Sequence, residues 1–150
     1  MAEQSEEFRK QGNNLYKIRK FQDAATLYKR AAESAPQDPA AVSNLAAAYF
    51  ELGQYDSSMA ACDSASSLLA AQTGSPGQEK LPKVLLREAR AAVNAAQPER
   101  AQRVVKKLPA SDDKATLERC IIQLEKAQAR DAKAILTRLV LELPRYKSMM

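Results

Sequence analysis

Residues 8–31 read Phe8-Arg9-Lys10-Gln11-Gly12-Asn13-Asn14-Leu15-Tyr16-Lys17-Ile18-Arg19-Lys20-Phe21-Gln22-Asp23-Ala24-Ala25-Thr26-Leu27-Tyr28-Lys29-Arg30-Ala31, and the spacing inside this stretch recurs further along the chain. Phe8-x-x-Gln11-Gly12-x-x-Leu15 leads to Ala24-x-x-x-Tyr28-x-x-Ala31, with Pro36 behind it. The next block runs Val42-x-x-Leu45-Ala46-x-x-Tyr49, then Ser58-x-x-x-Cys62-x-x-Ala65. Phe8 to Val42, Gly12 to Ala46, Tyr28 to Cys62 and Ala31 to Ala65 are each 34 residues apart. Large side chains return where large ones stood, and small ones where small ones stood. A period of this length is the mark of stacked repeat units, each unable to bury its apolar face alone.

A third copy follows more weakly, as Leu85-x-x-Glu88-Ala89-x-x-Ala92 and Ala101-x-x-x-Val105-x-x-Leu108. Val42 to Leu85, Ser58 to Ala101 and Ala65 to Leu108 are each 43 apart, so one insertion of nine residues explains all three offsets. The breaker-rich run Thr73-Gly74-Ser75-Pro76-Gly77-Gln78 is its natural place and reads as a loop. The resulting division is 1–72 for two repeats, 73–81 for an inserted loop, 82–110 for a degenerate third repeat, and 111–150 for a C-terminal part.

Each unit reads as two antiparallel helices. The first is expected from about Glu3 to Ile18, a turn at Arg19-Lys20, and a second helix from about Phe21 to Ser34. Pro36 and Pro39 close one unit and open the next, because proline suits a first helical turn and disrupts an interior. Gly53 marks the turn inside the second unit. Gly12, Ala46 and Ala89 fall inside helices, where glycine costs about 1 kcal/mol against alanine. A small residue there predicts close approach of the two helices of a unit.

Ser111-Asp112-Asp113 resembles an N-terminal helix cap. Leu117, Ile121, Leu124 and Gln128 follow one face of a helix, and Ala134, Ile135, Leu136, Leu139, Val140 and Leu143 a second helix ending before Pro144. These two helices either cap the stack or form a degenerate fourth repeat. Residues 144–150 carry no stop signal, which leaves open that the sequence is cut from a longer one.

Composition narrows the function. The chain has 150 residues, is 45% hydrophobic and 27% charged, and lacks tryptophan, as an alanine-rich helical domain would. Its net charge of +5 is a modest basic excess, below the loading expected of a nucleic-acid binder. Lys106-Lys107 with Arg100 and Arg103 reads as a solvated face. Histidine is absent, which removes the commonest general base, the Ser-His and Cys-His nucleophile pairs and the usual zinc ligands. No Gly-rich phosphate loop or metal-ligand spacing is present, so neither catalysis, a cofactor nor a metal is expected. Cys62 and Cys120 stand alone and read as small apolar residues in a reducing compartment. The acidic start Met1–Glu7 has no apolar run and no stretch reaches membrane-span length, so a cytoplasmic or nucleocytoplasmic setting is expected.

Over Phe8 to Leu108 the sequence resembles tetratricopeptide-repeat (TPR) proteins, most closely in the first two repeats. The implied fold is an all-α TPR helical-hairpin solenoid of three repeats, the third degenerate, with C-terminal capping helices. Within that family it looks most like co-chaperones whose groove binds the C-terminal Glu-Glu-Val-Asp tail of Hsp90 or Hsp70. There a two-carboxylate clamp uses a basic residue and an Asn on the first helix, an Asn on the third, and Lys and Arg on the fifth. Arg9, Asn13, Asn44, Lys83 and Arg87 stand at those places here, Arg9 replacing the more usual Lys.

The resemblance implies that Arg9, Asn13 and Asn44 hold the terminal carboxylate, while Lys83 and Arg87 lie nearer the last side chain. Tyr16, Phe50 and Leu86 would wall the preceding apolar residue, and Arg90 would meet upstream glutamates. The chemistry suits the task. Arg and Lys offer charge-assisted donors, and a neutral Asn amide adds hydrogen bonds without another charge. The alternative is a scaffold TPR module that binds another subunit through its convex face or C-terminal helices.

Overall fold

The computed structural model describes residues 1–72 and 74–142. They form seven helices, with no strand among them: α1 Ala2–Lys17, α2 Phe21–Ser34, α3 Pro39–Glu51, α4 Tyr55–Ala71, α5 Ser75–Asn94, α6 Pro98–Val105 and α7 Asp112–Glu142. Successive helices pack against one another, and α1, α3 and α5 also touch across the stack. This is the arrangement of a TPR solenoid, with inner helices α1, α3 and α5 and outer helices α2, α4 and α6. Among the described residues, no helix is long and apolar enough to cross a membrane.

Small side chains set the helix spacing. A Cβ on Gly12 would sit 2.6 Å from the Tyr28 ring, so α1 and α2 meet there at a distance only glycine allows. Ala46 and Ala89, at the matching places in the next repeats, are fully buried. The matching outer-helix positions Tyr28, Cys62 and Val105 are buried too, as are Ala31, Ala65 and Leu108. Ser5 donates to the Ala31 carbonyl at 2.9 Å and Ser58 to the Ala46 carbonyl at 2.8 Å, both inside the core. Burial pushes the Cys62 thiol up to about 12, so it packs as a neutral apolar group.

The three hairpin turns are chemically the same. Lys20 N–H donates to the Leu15 carbonyl, Gln54 N–H to Tyr49 and Gln97 N–H to Ala92, each at 2.9 Å. One residue earlier, Arg19, Gly53 and Ala96 donate to Tyr16, Phe50 and Val93 at 3.0 Å and adopt φ of 63°, 73° and 57°. These paired bonds close each inner helix through a left-handed residue. Their positions repeat the 34- and 43-residue offsets, so the third repeat is in register behind its insertion. The turns expected at Arg19-Lys20 and Gly53 fall where the helices break, and Ala96 fills the same place in the third repeat without a glycine to mark it.

Two expectations need correction. Residues 75–81, expected within an inserted loop, are helical: α5 begins at Ser75, with Gly74 at its N-cap and Pro76 in its first turn. The Gly-Ser-Pro-Gly run is therefore a helix start followed by the helix formers Gln78-Glu79-Lys80-Leu81. Pro82 lies inside α5 and removes one donor from its ladder, yet the helix continues. Of the C-terminal part, residues 112–142 are likewise one helix, α7, and not two. Ala129-Arg130-Asp131-Ala132-Lys133 contains no breaker, so the two faces read from sequence belong to one rod.

Ser111 caps α7 by accepting from Lys114 N–H at 3.2 Å. Leu117 and Ile121 are buried with Leu85, Ala101 and Val105, covering the apolar face of the third hairpin. Gln128 donates to the Ala96 carbonyl at 2.9 Å, and from Lys126 to Arg138 the helix is exposed. The expected helix end at Leu143-Pro144 lies outside the described residues.

Gly12→Ala gains helix propensity of about 1 kcal/mol but forces a methyl against the Tyr28 ring, an overpacking cost of about 1–3 kcal/mol. Urea denaturation should show a net loss of about 1 kcal/mol. Ala96→Gly should do the reverse, raising stability by about 0.5–1 kcal/mol as left-handed strain is relieved.

Candidate peptide-binding site

Parallel inner helices are joined by side-chain rungs. Asn44 on α3 donates its amide nitrogen to Asn13 Oδ1 on α1 at 3.2 Å. The same oxygen accepts the Tyr28 hydroxyl at 2.7 Å. Two donors on one oxygen fix the Asn13 amide, turning its nitrogen outward as a free donor among the described residues. Burial raises the Tyr28 phenol to about 12, so it remains a neutral donor. One rung lower, Arg9 Nε lies 3.7 Å from the Asp38 carboxylate, too far for a hydrogen bond, and finds no acceptor. Asp38 is itself the N-cap of α3, accepting from Ala40 N–H at 2.9 Å.

Across α3 the third inner helix is tied in as well. Arg87 Nη1 donates to the Ser43 carbonyl at 3.1 Å and to its hydroxyl at 3.3 Å. Asn44, Lys83 and Arg87 line one cleft of 270 Å³, joined by Lys80 and floored by Val84 and Leu69. Four of the five expected clamp residues are thus linked: Asn13 bonds to Asn44, and Asn44 faces the same cleft as Lys83 and Arg87. Arg9 stands one helical turn from Asn13 on α1.

The other expected contacts are placed differently. Tyr16, Phe50 and Leu86 are half-buried and lie outside that cleft. The Tyr16 hydroxyl reaches Glu51 at 3.4 Å and its ring meets Phe21 edge-on. Partial burial, with Glu51 alongside, raises its phenol. Phe50 stacks edge-on to Tyr55, and both Phe50 and Leu86 pack on the third-repeat core. Arg90 donates to Asp113 at 3.2 Å, tying α5 to the start of α7. Sequence reasoning missed Ser43, Asp38 and Lys80. Asp38-Pro39 is an N-cap followed by a first-turn proline and could have been found. Lys80 was hidden by reading its segment as a loop.

The angle of α5 is held from behind by an ion cluster. Arg100 on α6 donates to buried Glu88 on α5 at 3.0 Å and to Asp63 on α4 at 2.8 Å. Burial raises the Glu88 carboxyl, Arg100 opposing it and Asp63 adding to the rise. No group of three metal-ligating side chains occurs among the described residues.

Residues 9–76 match the family model of the tetratricopeptide repeat, and no curated protein matches the chain. The fold is that of TPR domains, and the chain carries TPR repeats over the matched segment. The first TPR domain of human RPAP3 is 21% identical, covering 87% of this chain and 98% of that one, with a TM-score of 0.70. The N-terminal domain of stress-induced protein-1 (STI-1) from C. elegans is 20% identical over 83% of this chain and 96% of that one, again with a TM-score of 0.70. The first TPR of Spaghetti (RPAP3), solved bound to the HSP90 peptide SRMEEVD, is 20% identical over 86% of this chain and 96% of that one, with a TM-score of 0.67. At these identities the likeness shows the fold alone.

Arg100→Ala would leave Glu88 buried without its cation and should cost about 3 kcal/mol at pH 7, with Glu88→Gln in the same background recovering much of it. Because burial raises the Glu88 carboxyl, the fold favours its protonated form. The penalty in Arg100→Ala should therefore be present above the folded-state value and fade as pH falls through it toward 4.5. Urea unfolding across that range checks the sign.

Proposed function

We propose that this module is a protein-interaction adaptor that captures the free acidic C-terminus of Hsp90 or Hsp70 through a two-carboxylate clamp, binding rather than catalysing. The observation that carries the reading is the bonded pair Asn13–Asn44 beside a cleft holding Lys83 and Arg87. A chain ending in Asp presents two carboxylates close together. The outward Asn13 amide and Arg9 suit the main-chain carboxylate, and Lys83 and Arg87 suit the side-chain one. The peptide-bound Spaghetti relative, alike in fold, supports the choice of ligand. A cytoplasmic or nucleocytoplasmic setting goes with such a partner and with two free thiols.

A second reading is a scaffold that docks another subunit, favoured by Ile135 and Leu136, exposed at 59% and 62% on the projecting end of α7. The two separate in one experiment. Calorimetry with Hsp90 and Hsp70 tail peptides should give micromolar binding, about −8 kcal/mol, to the free acid. Amidating the peptide C-terminus or introducing Lys83→Glu should each weaken it at least tenfold. Equal binding of acid and amide, or no loss with Lys83→Glu, removes the clamp and leaves the scaffold.

A further inference from the structure

Residues 75–81 of the segment inserted ahead of the third repeat form the first turns of α5, and those turns are docked against the stack. Gly77 is buried, and a Cβ there would stand 2.9 Å from the Leu69 carbonyl oxygen, so the new turns rest directly on the end of α4. Helical spacing then lines up Lys80, Lys83 and Arg87 on one face, and all three border the 270 Å³ cleft. Arg87 is occupied by Ser43, whereas Lys80 and Lys83 take no part in the ion pairs found among the described residues. Repeats one and two have no counterpart of Lys80, because the residue belongs to the insertion.

We propose that Lys80 is a specificity-determining residue that reads the acidic side chain of the ligand's last residue, as a third cation beside Lys83 and Arg87. This deepens the tail-binding reading and rests on it. With the main-chain carboxylate at the Asn13–Asn44 pair, the last side chain faces α5 and enters the cleft. Val84 and Leu69, exposed by only 2% and 3%, floor it and limit the water around a charge placed there. A lysine is a point charge on a flexible stem and makes no planar demand, so it follows a carboxylate on a stem of either length. The site accordingly demands an acid at the last position and accepts Glu as well as Asp.

The test is a square of calorimetric titrations with the full chain. Wild type and Lys80→Ala each meet tail peptides ending in Asp or in Asn, all with a free carboxylate. Alanine keeps the helix, and Lys80 is exposed, so the fold is preserved. Lys80→Ala should weaken the Asp peptide about threefold and leave the Asn peptide nearly unchanged, with Lys80→Arg restoring the difference. A Glu-ended peptide should bind wild type within about twofold of the Asp one. Equal losses on the Asp and Asn peptides, no loss on the Asp peptide, or rejection of Glu overturns the assignment. An amidated Asp peptide separates the two levels. If it binds wild type as well as the free acid does, the underlying clamp fails along with Lys80. If the free acid is preferred while Lys80→Ala changes nothing, only the role of Lys80 falls.

Discussion

One aromatic side chain connects the packing of this protein to its groove. The Tyr28 ring lies against the bare Cα of Gly12, so α1 and α2 close to a distance no larger residue would permit. Its hydroxyl then donates to Asn13, the next residue along α1, whose oxygen also receives the Asn44 amide. Hairpin closure and amide orientation are therefore a single event. If the ring moved, Asn13 would lose one of the two donors that fix its amide, and the outward nitrogen would no longer be aimed.

Around that contact the stack repeats one solution with different residues. Each inner helix ends in the same pair of turn bonds through a left-handed residue, filled by Arg, Gly or Ala in turn. The backbone requirement is constant and the side chain is not, because neighbouring packing can absorb about 1 kcal/mol of local strain. The buried small positions behave in the same way. What the repeats share is geometry, and sequence similarity follows it only loosely.

The inner surface is made from groups with a spare donor. Asn13 is held through its oxygen by two neutral donors and Arg87 by neutral acceptors, while Lys80 and Lys83 are unpaired among the described residues. Arg100, by contrast, is fully engaged behind α5 with Glu88 and Asp63. Asp38 stands 3.7 Å from Arg9, whereas Glu88 and Asp63 lie behind α5 and brace the helix that presents Lys80, Lys83 and Arg87. The positive field of such a surface reaches into solvent and is screened by salt, since its lysines are exposed.

The sequence by itself determined the helical-hairpin repeat, its 34-residue period, the register of the third copy, the small residues at close approaches, and the five polar types at their places. Those features are legible because they are local or periodic: spacing on a helix follows directly from 3.6 residues per turn. Only the tertiary structure decided how the insertion is used, whether the C-terminal faces lie on one helix or two, and where Tyr16, Phe50, Leu86 and Arg90 point. Gly74, Pro76 and Gly77 look like a loop until the end of α4 supplies a surface for Gly77 to rest on. Arg90 looks free until Asp113 is brought beside it from the next helix. In each case the deciding partner is distant along the chain, and a pattern of neighbours carries no record of it.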